Sequence, residues 1–223
     1  NDRLVTVCTL YVRHLQSCSC NAYEVSELTR TTEEGPGDAN LELGGAIYPT
    51  VSLSNHSCAP NTIRNSEGYN CVLRAICTIY PGQEICDNYG YFFQTKEKEA
   101  RRKVLSEQYY FDCDCIACAK DWPLYRYLRQ STTVYVCKGC KKPQNRPGKE
   151  KKCSQCKKEL KLNKLVRKMA TFHDDIRRAM DTLCEETIGN ILAYYHELLS
   201  ELENNTLHPS AQHLLCQQIV SHC

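Results

Sequence analysis

The sequence lacks most of the features that would assign a chain early. No apolar run approaches the roughly 20 residues that cross a bilayer, which argues against a transmembrane helix. The first residues carry no signal-peptide pattern. The formal net charge is only +2, too small to imply a nucleic-acid partner by itself. There is no initiator Met either. The chain opens on Asn1, inside a stretch where Leu4, Val7, Tyr11 and Leu15 fall at helical spacing, so a fragment of a longer protein is expected. Hydrophobic residues at 42% and charged residues at 24% are ordinary for a globular chain, and 223 residues allow one good core plus a smaller module.

What is present in excess is cysteine, at seventeen residues. An odd number, with clusters such as Cys113-Asp-Cys115-Ile-Ala-Cys118, argues against a plain disulfide framework. Spacings of one or two residues suit thiolates converging on one metal, and reducing intracellular conditions leave them free to bind it. The expected location is cytoplasm and nucleus. Eight cysteines form two sets of four. The other nine (Cys8, Cys18, Cys20, Cys71, Cys77, Cys86, Cys184, Cys216 and Cys223) are scattered and are expected to be small buried apolar residues.

Periodicity predicts an amphipathic helix over residues 1–17. The polar, breaker-rich run from Thr31 to Glu42 predicts a surface loop, with residues 31–43 mobile. Short β-rich runs fill residues 47–80, and Pro81-Gly82 predicts a turn. Residues 95–109 read as a charged helix with Ala100, Val104 and Leu105 inward. Beyond Leu162 one helix carries Leu165, Phe172, Ile176, Met180 and Leu183, and a second carries Ile188, Ile191, Tyr195, Leu198 and Leu202. Asn204-Asn205 stops the second, and Pro209 opens a third with Leu214, Leu215 and Ile219. Paired helices suggest the first units of a helical-repeat array, which is normally longer, so a cut C-terminus is expected too.

Three short motifs occur in order: Asn55-His56-Ser57-Cys58-Ala59-Pro60-Asn61; Gly82-Gln83-Glu84 followed by Tyr89-Gly90; and Tyr109-Tyr110-Phe111-Asp112 before Cys113-x-Cys115-x2-Cys118. Each alone is weak. In this order and spacing they resemble the SET methyltransferases, and most of all the SET-and-MYND-domain family of protein lysine methyltransferases. The run from Gly45 to Cys118 looks most like that family's tetratricopeptide-containing, member-four-like branch. The resemblance covers about residues 19–120.

The resemblance implies a protein-lysine N-methyltransferase that moves a methyl group from S-adenosylmethionine to a lysine of a protein substrate. It implies that Asn21, Asn55, His56 and Tyr89 lie at the methyl donor, that Tyr89 is also the catalytic tyrosine and that Phe111 stacks on the adenine. Tyr109 and Tyr23 would line the lysine channel. Cys58 would join Cys113, Cys115 and Cys118 around one structural Zn²⁺, holding Phe111 and Tyr109 against the segment that precedes Cys58. These residue types suit the chemistry. Aromatic faces attract cationic ammonium and sulfonium, hydroxyls fix the amine lone pair, and four thiolates leave a metal no open position. The upstream glycine-rich cofactor loop and the MYND module are missing from this sequence, so a catalytically weak or inactive interaction scaffold is the alternative.

Cys137-x2-Cys140 and Cys153-x2-Cys156, twelve residues apart, have zinc-ribbon spacing and predict a second structural Zn²⁺. Residues 138–158 hold nine Lys or Arg against the single acid Glu150. With no interleaved aromatics this reads as a solvated basic face ahead of the alternatives, a site for nucleic acid or for an acidic protein tail. The expected fold class is α+β: a helical and loop region over 1–44, a SET core of small sheets over 45–94, a zinc-bound post-SET segment over 95–120, a zinc ribbon over 130–160 and a tetratricopeptide-like helical part over 161–223. Expected partners are a protein substrate carrying the target lysine and a peptide on the C-terminal helices, with no nucleic acid and no membrane.

Overall fold

The structure is a computed structural model that describes residues 2–30, 38–144, 149–181 and 185–222. It mixes helices and strands in two units. The first comprises Asn1–Arg74, Gly82–Phe92 and Lys96–Lys120; the second comprises Ala75–Pro81, Phe93–Thr95 and Asp121–Cys223.

In the first unit, helix α1 (Asp2–Asn21) outruns its expected end by four residues. Asp2 in its first turn suits the positive end of the helix dipole, and the Thr6 and Thr9 hydroxyls bond back to carbonyls four residues earlier. Leu4, Val7, Tyr11 and Leu15 are exposed.

Strands β1 (Ala22–Arg30) and β2 (Asp38–Ile47) pair antiparallel, with Tyr23 opposite Ala46. The register shifts between Val25 and Ser26, and Gly44, opposite Val25, takes the positive φ of 152° that glycine tolerates best beside such a bulge. This corrects the surface loop expected through Glu42. Asp38–Glu42 belongs to the ladder, because cross-strand pairing with β1 outweighs a locally poor strand composition. The other part of that expectation, residues 31–37, lies outside the described residues.

Strand β3 (Asn55–His56) pairs in parallel with β6 (Cys86–Asp87), while β4 (Thr62–Glu67) pairs with β5 (Asn70–Ala75). The expected turn at Pro81-Gly82 forms, with Gly82 at φ 82°. Helix α2 (Lys98–Tyr109) differs from its expected face: its buried residues are Arg101 and Leu105, with Val104 half-buried and Ala100 exposed. Tyr110 ends it in the left-handed conformation, φ 61°, and helix α3 (Ile116–Ala119) follows.

In the second unit, Phe93 meets Trp122 edge-on at 5.0 Å, and the N–H of Tyr125, first residue of helix α4 (Tyr125–Leu128), donates to the Gln94 carbonyl at 3.0 Å. Helices α5 (Leu162–Asp181), α6 (Glu185–Asn205) and α7 (Ala211–His222) share one core of Leu165, Phe172, Tyr195, Leu198, Leu199, Leu202, Cys216 and Val220. Ile176 and Ile191 pack partly buried against it; Leu183 and the side chain of Met180 lie outside the described residues. On α7 the buried apolar positions are Ala211, Cys216 and Val220, with the expected Leu214, Leu215 and Ile219 only half-buried.

The scattered cysteines also depart from expectation. Among those described, Cys216 is buried, Cys8 is exposed, and Cys18, Cys20, Cys71, Cys77 and Cys86 are intermediate. Cys184 and Cys223 lie outside the described residues. No helix among the described residues is long and apolar enough to cross a membrane.

Candidate active site and metal centres

The β3–β6 pair is short, and asparagine side chains hold it together. Asn61 donates through Nδ2 to the Glu84 carbonyl and accepts at Oδ1 from the Cys86 N–H, both at 2.8 Å. Thr62 donates its hydroxyl to the Cys86 carbonyl at 2.7 Å. Asn88 donates through Nδ2 to the Ser57 carbonyl at 2.8 Å, while its Oδ1 accepts from the N–H groups of Gly90 and Tyr91. These bonds shape the turn that presents Tyr89. Asn61 closes the first motif without drawing attention from sequence, and Asn88 was missed; its position just before Tyr89 was the available signal.

Tyr89 donates its hydroxyl to the Ser54 carbonyl at 2.8 Å. Its ring centroid lies 4.8 Å from that of Tyr109, at the end of α2, and 5.1 Å from that of His56. Phe111 lies 6.0 Å from His56 on the same cluster. Burial raises the pKa of both tyrosines, so each stays a neutral phenol near neutral pH.

Tyr23 is buried on β1 under the Arg64 guanidinium, 4.4 Å from its ring centroid. Arg64 also pairs with the buried Asp87 at 3.1 Å and donates to the Asn88 carbonyl at 3.2 Å. Burial pushes the Asp87 carboxyl upward, and Arg64 and the Asn88 N–H oppose that shift. Asn55 is exposed and donates to the Glu84 carboxylate at 2.6 Å. Asn21 ends α1, its amide returned to the Ser17 carbonyl at 2.9 Å.

His56 has both ring nitrogens engaged. Nδ1 accepts from the Tyr89 backbone N–H at 3.1 Å, and Nε2 lies 3.4 Å from Cys58 Sγ. The first bond makes Nδ1 the acceptor, so Nε2 carries the hydrogen and donates to sulfur. Burial lowers the His56 pKa to about 4, which keeps that neutral tautomer.

The sulfurs of Cys58, Cys113, Cys115 and Cys118 all lie within 4.8 Å of one another, with Cys58 3.9 Å from Cys113 and 3.6 Å from Cys118. A tetrahedral zinc with bonds of about 2.3 Å requires sulfur separations of about 3.8 Å, so these residues fit such an ion. Cys115 is held strongly toward the thiolate by hydrogen bonds from the Cys113 and Cys58 thiols. Sequence reasoning missed Arg101: its guanidinium is fully buried and donates through Nη2 to Cys118 Sγ at 3.6 Å and through Nη1 to the Lys96 carbonyl.

Cys137, Cys140, Cys153 and Cys156 form the second set within 4.8 Å, with Cys137 3.6 Å from Cys156 and Cys140 3.7 Å from Cys153. The two loops are near copies. Cys137 and Cys153 each accept at their carbonyl from the residue four on, Lys141 or Lys157, which adopts positive φ. The N–H groups of Cys156 and Gln155 pull the Cys153 thiol down to about 6. The preceding segment pairs with the α6–α7 connection: the Val136 N–H donates to Asn205 and the Leu207 N–H to Val134, at 2.7 and 2.8 Å. Tyr135 packs against both the ribbon core and the helical core.

A family model described as the SET domain matches residues 11–90. The mouse protein-lysine N-methyltransferase SMYD4 is 28% identical over 213 residues, covering 86% of this chain and 26% of the relative. Human SMYD4, of the same description, is 34% identical over 110 residues, covering 48% of this chain and 14% of the relative. The human histone-lysine N-methyltransferase SMYD3 is 43% identical over 77 residues, covering 34% of this chain and 18% of the relative. The chain thus spans about a quarter or less of the length of these relatives.

Proposed function

We propose that this chain, which belongs to the SET-and-MYND family, carries part of the active site of a protein-lysine N-methyltransferase. The observation that supports this best is the convergence of Tyr89, Tyr109, His56 and Phe111 beside a four-cysteine cluster, with the Tyr89 hydroxyl fixed on a backbone carbonyl.

The residues suit S-adenosylmethionine: Phe111 offers a half-buried ring beside His56, and the neighbouring tyrosine faces favour a cation. Asn21, Asn55, His56, Tyr89 and Phe111 are the residues that would hold it. When bound, it supplies an electrophilic sulfonium methyl. The protein's part is to align a neutral lysine amine with that methyl and exclude water, which is chiefly positioning. Tyr89, Tyr109 and Tyr23 would line the lysine's path. Since Tyr89 spends its hydrogen on Ser54, its oxygen is left as an acceptor for an amine N–H. As a neutral phenol, Tyr89 orients the amine and does not deprotonate it.

We assign Zn²⁺ to both cysteine sets as a structural ion, since four sulfur ligands leave no open position for catalysis. The helical part is read as tetratricopeptide-like, with a peptide as its partner. Calorimetry of S-adenosylmethionine binding to the full-length protein tests the proposal, followed by transfer of labelled methyl to proteins of a cell extract. Binding, with transfer that is lost in Tyr89→Phe, is the expected result. A full-length protein that binds no cofactor and transfers no methyl supports the interaction scaffold instead.

A further inference from the structure

Arg101 is the largest fully buried side chain in the described structure, and it carries a charge. A buried guanidinium costs several kcal/mol unless anions or well-placed acceptors face it. Among the described residues no carboxylate is paired with it. Its neighbours are the Lys96 carbonyl, which is neutral, and the sulfurs of Cys118 and Cys58. Among these described partners, only the cysteine sulfurs can carry negative charge. Four thiols would leave Arg101 uncompensated, whereas four thiolates around a divalent ion carry a net charge of −2 that a buried cation balances.

The ribbon provides an internal comparison. Its sulfurs have similar mutual distances, yet among the described residues the side-chain donor on them is the neutral amide of Gln144, whose Nε2 lies 3.7 Å from Cys153 Sγ. Cys137 and Cys153 there draw mainly on backbone N–H groups. The two sites therefore compensate the same ligand charge by different means.

We propose that Arg101 is a positioning residue that balances the charge of the Cys58–Cys113–Cys115–Cys118 zinc and thereby ties α2 to it. Its second bond, to Lys96, fixes the start of the helix whose last residue is Tyr109. Arg101 thus selects the metal-loaded cluster and, through α2, the position of one wall of the tyrosine cluster. The inference rests on the zinc reading of this cluster.

The test is zinc retention at each site in the full-length protein, wild type and Arg101→Gln and Arg101→Lys variants. Each is titrated with a chelator, and alkylation of released thiols is followed by mass spectrometry, which separates the two cysteine sets. Arg101→Gln is expected to weaken zinc at the first set by about 10- to 100-fold, the usual effect of losing an outer-shell partner, with the ribbon unchanged. Arg101→Lys, which keeps the charge, should recover part of the loss. Equal retention in wild type and Arg101→Gln overturns the proposal. So does parallel weakening of both sites, or a Lys variant no better than Gln. A wild-type protein that holds zinc only in the ribbon overturns the zinc reading itself.

Discussion

The Nε2 of His56 lies 3.4 Å from the Sγ of Cys58, and the same ring accepts the backbone N–H of Tyr89. One imidazole therefore joins a cluster ligand to the candidate catalytic tyrosine. His56→Ala should lower methyl transfer at least tenfold and also weaken zinc at the Cys58 cluster, because it removes a donor to sulfur. Chelator competition and a transfer assay on the full-length protein measure the two effects. Transfer lost with zinc affinity unchanged would show that the bond to Cys58 has no weight.

Arg64 links the buried Asp87 to the face of Tyr23. Arg64→Leu should destabilise the first unit by about 3 kcal/mol, since it strands a buried carboxylate. Adding Asp87→Asn should restore most of this loss, as the uncompensated charge is then gone. Denaturant melts of the three proteins measure it; a double variant no more stable than Arg64→Leu would refute the account.

Replacing Cys153 with Ser should release the zinc proposed for the ribbon and loosen the pairing of Val134–Val136 with the α6–α7 connection. Hydrogen exchange should then rise at the Val136 and Leu207 amides, while cysteines 58, 113, 115 and 118 stay protected from alkylation. Unchanged protection at both amides would mean that the helices hold this segment without the metal.

His208 has its pKa lowered to about 4, first by burial and then by His213, whose ring lies 4.2 Å away; Lys141 adds to the lowering and Glu203 opposes it. The folded state thus resists a proton that the unfolded chain accepts near pH 6.5. The unfolded state binds more protons between these values, so stability is full above about pH 6.5 and falls as the pH drops toward 4, by at most about 3 kcal/mol. His208→Gln should flatten that part of the pH dependence. Thermal melts of wild type and variant at pH 7 and pH 5 test this, since acid loss of zinc is common to both.

Much of the candidate site could be read from residue order. The two cysteine sets were legible because short cysteine spacings have few other uses, and the grouping of Tyr89, Tyr109, His56 and Phe111 was implied by the family resemblance that the order of the motifs carries. Arg101 was not legible, because a charged residue on a charged helix reads as solvent-facing until its buried counter-charge is known. Strand β2 was hidden for a related reason. Asp38, Asn40 and Glu42 are poor strand formers, and only the partner strand, distant in the local window, compensates them. On α7 the helical period was found, but choosing Cys216 and Val220 over Leu214 as the inner positions required the neighbouring helices.

The two units are interleaved along the chain. Residues 75–81 and 93–95 belong with the C-terminal unit, where Gln217 donates to the Ile76 carbonyl and the Thr78 N–H to Glu203. No single cleavage can yield both units whole. A graft of the ribbon and helices onto a homologous chain must carry these two short segments with it, and a swap at residue 121 alone would leave Trp122 and Gln217 facing sequences they did not evolve to meet.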